Sequence, residues 1–205
     1  DVSTDKAVEP INLYGMTKSV GEKTMIQAND LSDTTRFVCI RGGNVMGSNG
    51  SVIPLFIDQI KSGGPVTITD FAMTRFFLTL EEAIRLLFKA SIDSIGGETF
   101  VMNMPACYIR DVAEVLMDTY GKCDIIETGI RPGEKLDEML ISHHDAQLSY
   151  EYDENYWMTL PVGYNTDLRA KYNDFTKLPY TEFSSKTNIM DKSQIGTMLA
   201  KGGFV

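Results

Sequence analysis

The 205-residue sequence is sparing in the residues that carry the commonest site chemistries. Its three cysteines, Cys39, Cys107 and Cys123, show no C-x-x-C spacing. An odd, scattered set argues against a disulfide framework and a zinc site, and suits a reducing compartment. The two histidines, His143 and His144, are adjacent. Neighbouring side chains rarely converge on one metal, so both read as surface residues. No apolar run approaches the roughly 20 residues of a membrane helix, and no signal peptide is visible. Basic clusters are also missing. With 19 Lys and Arg against 28 Asp and Glu, the net charge is -9, which makes nucleic acid a poor partner. A few placed arginines can still bind an anion locally on such a surface. The chain opens on Asp1 rather than Met, so further residues are expected ahead of it.

What is present is an ordinary globular composition, 43% hydrophobic and 23% charged, long enough for one large domain or two small ones. Strands are expected at 36–41, 66–69, 99–102 and 123–127, with the end of another at 1–3. Helices are expected from 13 to about 28, with Val20, Met25 and Ile26 turned inward, and at 53–60 and 109–120. A helix at 80–92 has Thr79 and Glu82 as a capping box and Ala83, Ile84, Leu86, Leu87 and Ala90 as its apolar face. A short helix is expected at 134–140, and a last one from an Asp191 cap to near Gly202. This alternation predicts an α/β fold. Phe88, Leu116 and Met139 read as core. Residues 150–181 are aromatic and polar with weak periodicity; there Trp157 with Tyr150, Tyr152 and Tyr156 would cover a pocket or form an oligomer contact.

The segment S-T-D-K-A-V-E-P-I-N-L-Y-G-M-T-K, residues 3–18, crowds reactive side chains together. Of nine tyrosines, only Tyr14 has a lysine four positions later, Lys18. On a helix the two share a face. A lysine ammonium held near a phenol favours the phenolate, and so makes a tyrosine usable as a base toward an alcohol. The plainer readings are a surface helix pair for Tyr14–Lys18 and a solvated loop pair for Asp5–Lys6. The turn at 42–51 follows a strand and precedes a helix, but its glycines, at 42, 43, 47 and 50, do not fit G-x-G-x-x-G. It is therefore not a dinucleotide loop. Its plain reading is a tight strand-to-helix turn.

Further strings follow in order: R-G-G-N-V-M-G-S-N-G-S-V-I-P-L-F at 41–56, P-V-T-I-T-D at 65–70, M-T-R-F at 73–76 and I-R-P-G-E-K-L-D-E at 130–138. With the opening segment they resemble the extended short-chain dehydrogenase/reductase superfamily. Within it they resemble the inverting UDP-N-acetylglucosamine 4,6-dehydratases and their polysaccharide-biosynthesis relatives. The resemblance covers most of the chain and is weakest beyond about residue 145.

The resemblance implies roles. Tyr14 would take the proton of the sugar 4-hydroxyl, with Thr4 hydrogen-bonded to that hydroxyl and Lys18 on the nicotinamide ribose. The cofactor would be NADP, or NAD, touched by Tyr14 and Lys18. Asp5 would serve the leaving water and Lys6 the carbon-5 proton, so Lys6 also meets substrate. On the substrate side, Asn44 would contact the UDP diphosphate. Asn49, Gly50, Ser51, Val52, Ile53 and Pro54 would line the nucleotide pocket at a helix N-terminus that favours phosphate. Thr69 belongs to the same set. Arg75 and Arg131 each offer a planar fork to a phosphate, and Glu134 would accept from a ribose hydroxyl or orient an arginine. The family often carries Arg where Asn49 stands, so no cation occupies that position here.

The resemblance also implies a fold: the C-terminal part of a Rossmann-like parallel sheet interleaved over 1–205 with a smaller substrate-binding domain, and the N-terminal cofactor half absent. The chain corresponds to roughly the last three-fifths of a family member. It is expected to be inactive or very weak alone, with a sheet edge that favours association. Its partners would be a UDP-sugar, the N-terminal half and a second copy of itself. The location would be cytoplasmic, or membrane-attached through the preceding region. Two other readings stay open: a related UDP-sugar 4,6-dehydratase/5-epimerase, and a catalytically silent UDP-sugar-binding fragment.

Overall fold

The structure is a computed structural model that describes residues 1–163 and 166–205. The chain begins with β1 (Val2–Thr4), a single 3-10 turn (Asp5–Ala7), α1 (Leu13–Gln27), β2 (Cys39–Gly42), β3 (Asn44–Val45) and α2 (Val52–Lys61). Then come β4 (Val66–Ile68), β5 (Thr74–Leu78), α3 (Leu80–Asp93), β6 (Thr99–Met102), β7 (Ala106–Tyr108), α4 (Ile109–Tyr120) and β8 (Ile125–Glu127). The last part holds β9 (Met139–Ile141), α5 (His143–Ala146), β10 (Ser149–Asp153), β11 (Tyr156–Thr159), α6 (Thr166–Tyr172), β12 (Phe183–Ser184) and α7 (Lys192–Lys201). These elements divide between two compact units. The first comprises Asp1–Gly43, Glu81–Met104 and Met139–Ser184, the second Asn44–Leu80, Pro105–Glu138 and Ser185–Val205.

The first unit is built on a five-stranded sheet in the order β1-β2-β6-β11-β10. β1, β2 and β6 run parallel, in the Rossmann manner, with Val2 opposite Ile40 and Cys39 opposite Thr99. Parallel strands covered on both faces read as unbroken apolar runs, and Cys39, Ile40, Phe100 and Val101 are all buried. The hairpin β10–β11 then adds two antiparallel strands. It accounts for the aromatic stretch: Trp157 and Tyr150 are buried, and Trp157 packs edge-on against Phe183.

Two expectations about inward faces are corrected. In α1 the fully buried residues are Gly15 and Glu22; Met25 and Ile26 are half-buried, while Val20 is 66% exposed. A close backbone approach and an ion pair therefore sit where the apolar stripe was expected to be deepest. In α3 only Leu86 and Ala90 are buried; Ile84 and Leu87 are exposed and Phe88, expected in the core, is 60% exposed. Leu116 is core as expected. His143 and His144 are exposed.

A buried ionic cluster joins three segments of this unit. Arg41 on β2 donates from Nε and Nη2 to the two carboxylate oxygens of Glu22, at 2.9 and 2.8 Å. Its Nη1 donates to Asp145 at 2.7 Å and to the Leu140 carbonyl at 3.1 Å. Burial acts to raise the Asp145 carboxyl, but the Arg41 charge and hydrogen bond outweigh it and hold the group below its ordinary value of 3.8. The folded pKa thus lies below the unfolded one. The carboxylate contributes stability that is complete above the unfolded value and is lost as pH falls through the folded one. Replacing Asp145 with Asn is expected to flatten the dependence of unfolding free energy on pH below about pH 4, as read by urea titrations at several pH values. An unchanged slope would refute the assignment.

The second unit holds the three-stranded sheet β3-β5-β7 and the parallel pair β4–β8. Helices α2, α4 and α7 cover a core that includes Phe56, Ile60, Ile68, Val112, Leu116 and Leu199. Fully burying one such side chain contributes about 1.5–3 kcal/mol. The Asp191 cap is present, as a capping box with Gln194 at the start of α7. The helix expected at 134–140 is absent: residues 134–138 form an open loop that runs into β9. Its carbonyls are taken by tertiary partners. The Thr74 N–H and the Arg75 side chain both donate to the Leu136 carbonyl. Long-range bonds here override local propensity.

Candidate active site

The end of β1 delivers three polar side chains in succession. Thr4 is the N-cap of the 3-10 turn, in extended conformation. Its hydroxyl donates to Asp5 Oδ1 at 2.8 Å, and the Lys6 ammonium donates to the same oxygen at 3.0 Å. Asp5 is fully buried, whereas the Lys6 side chain is 30% exposed. Two atoms nearby are buried with no hydrogen-bond partner: Asp5 Oδ2 and Ser3 Oγ. Leaving a buried polar atom unpaired costs about 1–3 kcal/mol, so such atoms gather where a polar ligand is to be met.

α1 brings Tyr14 and Lys18 to this turn. Asn12 caps the helix, accepting from the Gly15 N–H at 2.8 Å. Gly15 lies so close to the turn that a Cβ built there would stand 2.2 Å from the Lys6 carbonyl oxygen. Only glycine permits that approach. Lys18 donates from Nζ to the Val2 carbonyl at 2.9 Å, tying the helix back to β1. Tyr14, at 53% exposed, stands accessible beside Gly15. The five residues expected to act in catalysis, Thr4, Asp5, Lys6, Tyr14 and Lys18, therefore all lie on β1, its turn and the helix packed on it. Toward a nicotinamide group these residues fit at its reactive end: an accessible phenol, a lysine four positions on, and orphaned oxygens at the strand end.

Apart from Lys6, the residues expected to bind substrate lie in the second unit. Asn44 is on β3, opposite Phe77. Asn49 and Gly50 are exposed on the turn before α2. Ser51 is the helix N-cap, yet its side chain makes no capping bond, and its Oγ is buried without a partner. The first turn, Val52, Ile53 and Pro54, thus keeps the Val52 and Ile53 N–H groups uncapped by a side chain, Pro54 having none, which is the polarity an anion prefers. Thr69 follows β4 and is half-buried. Arg131 opens a turn in which the Glu134 N–H donates to the Arg131 carbonyl at 3.1 Å. Its side chain is 75% exposed and 3.9 Å from Glu134. The Arg75 side chain, 11% exposed, is turned inward onto that same loop.

Sequence reasoning missed four supporting residues. Gly15 and Asn12 carry a legible signal, an Asn three positions before the glycine beside the candidate base. The pairing of Arg41 with Glu22 has none, because its partners are 19 and 104 positions away. Among the described residues no helix is long and apolar enough to cross a membrane, and no group of His, Cys, Asp and Glu could hold a metal ion.

Comparison with known proteins places the chain in a family. The family described as polysaccharide biosynthesis protein matches residues 1–160. The capsular polysaccharide biosynthesis protein CapD of Staphylococcus aureus is 46% identical over 160 residues, 76% of this chain and 27% of CapD. An inverting UDP-N-acetylglucosamine 4,6-dehydratase of Campylobacter jejuni is 41% identical over 178 residues, 85% of this chain and 51% of that enzyme. Among solved structures, Pen from Bacillus thuringiensis superposes with a TM-score of 0.86 at 32% identity, covering all of this chain and 61% of Pen. The chain therefore spans between about a quarter and three-fifths of these relatives. With the motifs and the parallel sheet in place, the chain belongs to the polysaccharide biosynthesis protein family, within the extended short-chain dehydrogenase/reductase superfamily.

Proposed function

We propose that this chain supplies the acid–base residues and the nucleotide-sugar site of an NADP-dependent 4,6-dehydratase acting on UDP-N-acetylglucosamine, with inversion at carbon 5. The observation that carries the reading is the hydrogen-bonded set Thr4–Asp5–Lys6, with its buried unpartnered carboxylate oxygen, held against the helix of Tyr14 and Lys18. Tyr14 takes the proton of the 4-hydroxyl as that carbon is oxidised, and Thr4 orients the hydroxyl. When bound, a nicotinamide would supply the reversible two-electron acceptor that oxidation at carbon 4 and the later reduction at carbon 6 require. The 4-keto group acidifies carbon 5. Lys6 removes that proton, Asp5 protonates the departing 6-hydroxyl, and water leaves. Carbon 5 is finally reprotonated on its opposite face. A carboxyl and an amine in contact suit this division of acid and base work. On the substrate side, Arg131 and the uncapped start of α2 meet the diphosphate, with Asn44, Thr69 and Glu134 around the nucleotide.

Since the chain spans 51% of the dehydratase relative, the activity is proposed for a polypeptide that joins it to a dinucleotide-binding half. The 205-residue chain alone is expected to turn over little. The test is incubation of the joined polypeptide with UDP-N-acetylglucosamine in D2O, followed by NMR. A 4-keto-6-deoxy sugar with inverted, deuterated carbon 5 is expected. Asp5→Asn is expected to lower the rate by about 10²–10⁴-fold, while exchange of the carbon-5 proton persists. No sugar product, or a carbon 5 that keeps its configuration, overturns the reading.

A further inference from the structure

We infer that Phe204 is a positioning residue, whose ring holds the 46–51 turn so that the start of α2 can meet the diphosphate of a nucleotide sugar. The ligand rests on the nucleotide-sugar reading above; the contact between ring and turn does not. Phe204 lies beyond residues 1–160, which the family matches. The sequence K-G-G-F-V at 201–205 ends α7 in a Schellman arrangement. Gly202 caps the helix, the Gly203 N–H donates to the Ala200 carbonyl at 3.0 Å, and the Phe204 N–H donates to the Leu199 carbonyl at 2.9 Å. Gly203 has a φ of 78°, which the motif needs and a side chain resists. From the other side, the Tyr120 hydroxyl donates to the Phe204 carbonyl at 2.6 Å. Both backbone groups of Phe204 are thus engaged, and its half-buried ring has a fixed origin.

The ring is aimed at the turn. A Cβ built on Gly47 would stand 2.7 Å from Phe204 Cζ, and one on Gly202 would stand 2.9 Å from both Cδ2 and Cε2. The ring tip therefore rests on the backbone of Gly47 and one ring edge on that of Gly202. Met46, 8% exposed, closes the contact, with its Cε 3.1 Å from the Cβ built on Gly202. Within the turn, the Ser48 N–H reaches the Val45 carbonyl at 3.4 Å, and the Ser51 N–H reaches the Ser48 carbonyl at 3.0 Å. Short-range bonds of this kind leave a turn free to shift as a unit, and outside packing sets where it stands. Without the ring, the backbone at Gly47 loses that packing. Ser51 and the uncapped N–H groups of Val52 and Ile53 would then lose their fixed position. The ring, the turn and α2 all belong to the second unit.

The test uses the 205-residue chain with Phe204→Ala and Phe204→Tyr. In Phe204→Ala, amide hydrogen exchange at Met46, Ser48 and Ser51 is expected to speed up at least about tenfold, while amides in the middle of α4 keep their rates. UDP, titrated calorimetrically, is expected to bind about tenfold more weakly, because a loosened turn must be ordered again on binding. Phe204→Tyr is expected to move both readouts in the same direction. Its added oxygen would extend from Cζ, the ring atom that already meets Gly47. Unchanged exchange in the turn overturns the inference. Equal acceleration in α4 also overturns it, and makes Phe204 a seal on the core. Faster exchange with unchanged UDP affinity overturns the positioning role. A Phe204→Tyr variant that behaves as the unsubstituted chain overturns the close approach of ring and turn. If the unsubstituted chain does not bind UDP, the nucleotide reading of the turn fails, and the exchange rates still decide whether Phe204 holds it.

Discussion

Gly15→Ala is expected to destabilise the chain by about 2–3 kcal/mol, an overpacking cost, although alanine ordinarily stabilises a helix interior by up to about 1 kcal/mol relative to glycine. The sign reverses because the new Cβ would stand 2.2 Å from the Lys6 carbonyl oxygen and 3.0 Å from Pro10 Cβ. The first clash is with backbone, so no side-chain rotation relieves it. Gly21, in the same helix, is the internal control. A Cβ there meets only Asp1 Oδ2, at an ordinary 3.7 Å, so Gly21→Ala is expected to stabilise by about 0.5–1 kcal/mol. Urea unfolding of both variants measures the contrast. Equal effects would show that α1 does not depend on close approach to the turn.

The same substitution reaches the chemistry. Tyr14 precedes Gly15, and Lys6 supplies the carbonyl that Gly15 approaches. Relief of the clash must therefore move the candidate base away from the Asp5–Lys6 pair. A displacement near 1 Å in such a constellation costs about 100-fold in rate, and that loss is expected of Gly15→Ala in the dehydratase assay even at temperatures where the variant remains folded.

The parts of this molecule that were legible in its sequence are those whose determinants are local. Helix α4 was expected at 109–120 and occupies Ile109–Tyr120, because Ile109, Val112, Ala113, Leu116 and Met117 recur with helical spacing. The start of α7 was legible in Asp191, whose capping bond reaches only three residues. The residues proposed for catalysis lie within sixteen positions of one another, so their gathering on β1, its turn and α1 was legible locally. What was not legible depends on distant partners. Strands β5 and β7 each pair with elements about 30 residues away, and nothing in M-T-R-F alone marks a strand. Residues 134–140 carry local helix signals, but Arg75 and Thr74 claim their carbonyls from about 60 positions upstream. Val20 and Phe88 satisfy an apolar periodicity and are exposed all the same, since periodicity gives a face without saying whether anything covers it.

Glu22→Leu is expected to be the most damaging single change outside the site, at about 3–5 kcal/mol. Glu22 is fully buried and takes two of the hydrogen bonds from Arg41, itself 4% exposed. Removing the carboxylate leaves Nε and Nη2 of a charged guanidinium in the interior. Asp145 and the Leu140 carbonyl occupy only the Nη1 side and cannot turn to meet them. The loss comes from the stranded charge, not from the value of the pair, because desolvation offsets much of the attraction in a buried ion pair. That distinction has a consequence. Adding Arg41→Met to Glu22→Leu removes the orphan, and Asp145, which is partly exposed, can turn to water. The double variant is therefore expected to be at least about 1 kcal/mol more stable than Glu22→Leu alone, within the range seen when apolar residues replace buried ion pairs. A double variant less stable than the single one would mean that the cluster itself, and not the avoidance of a stranded cation, holds α1 against β2. In that case the mounting of Tyr14 would depend on a charge pair two turns down the helix from it.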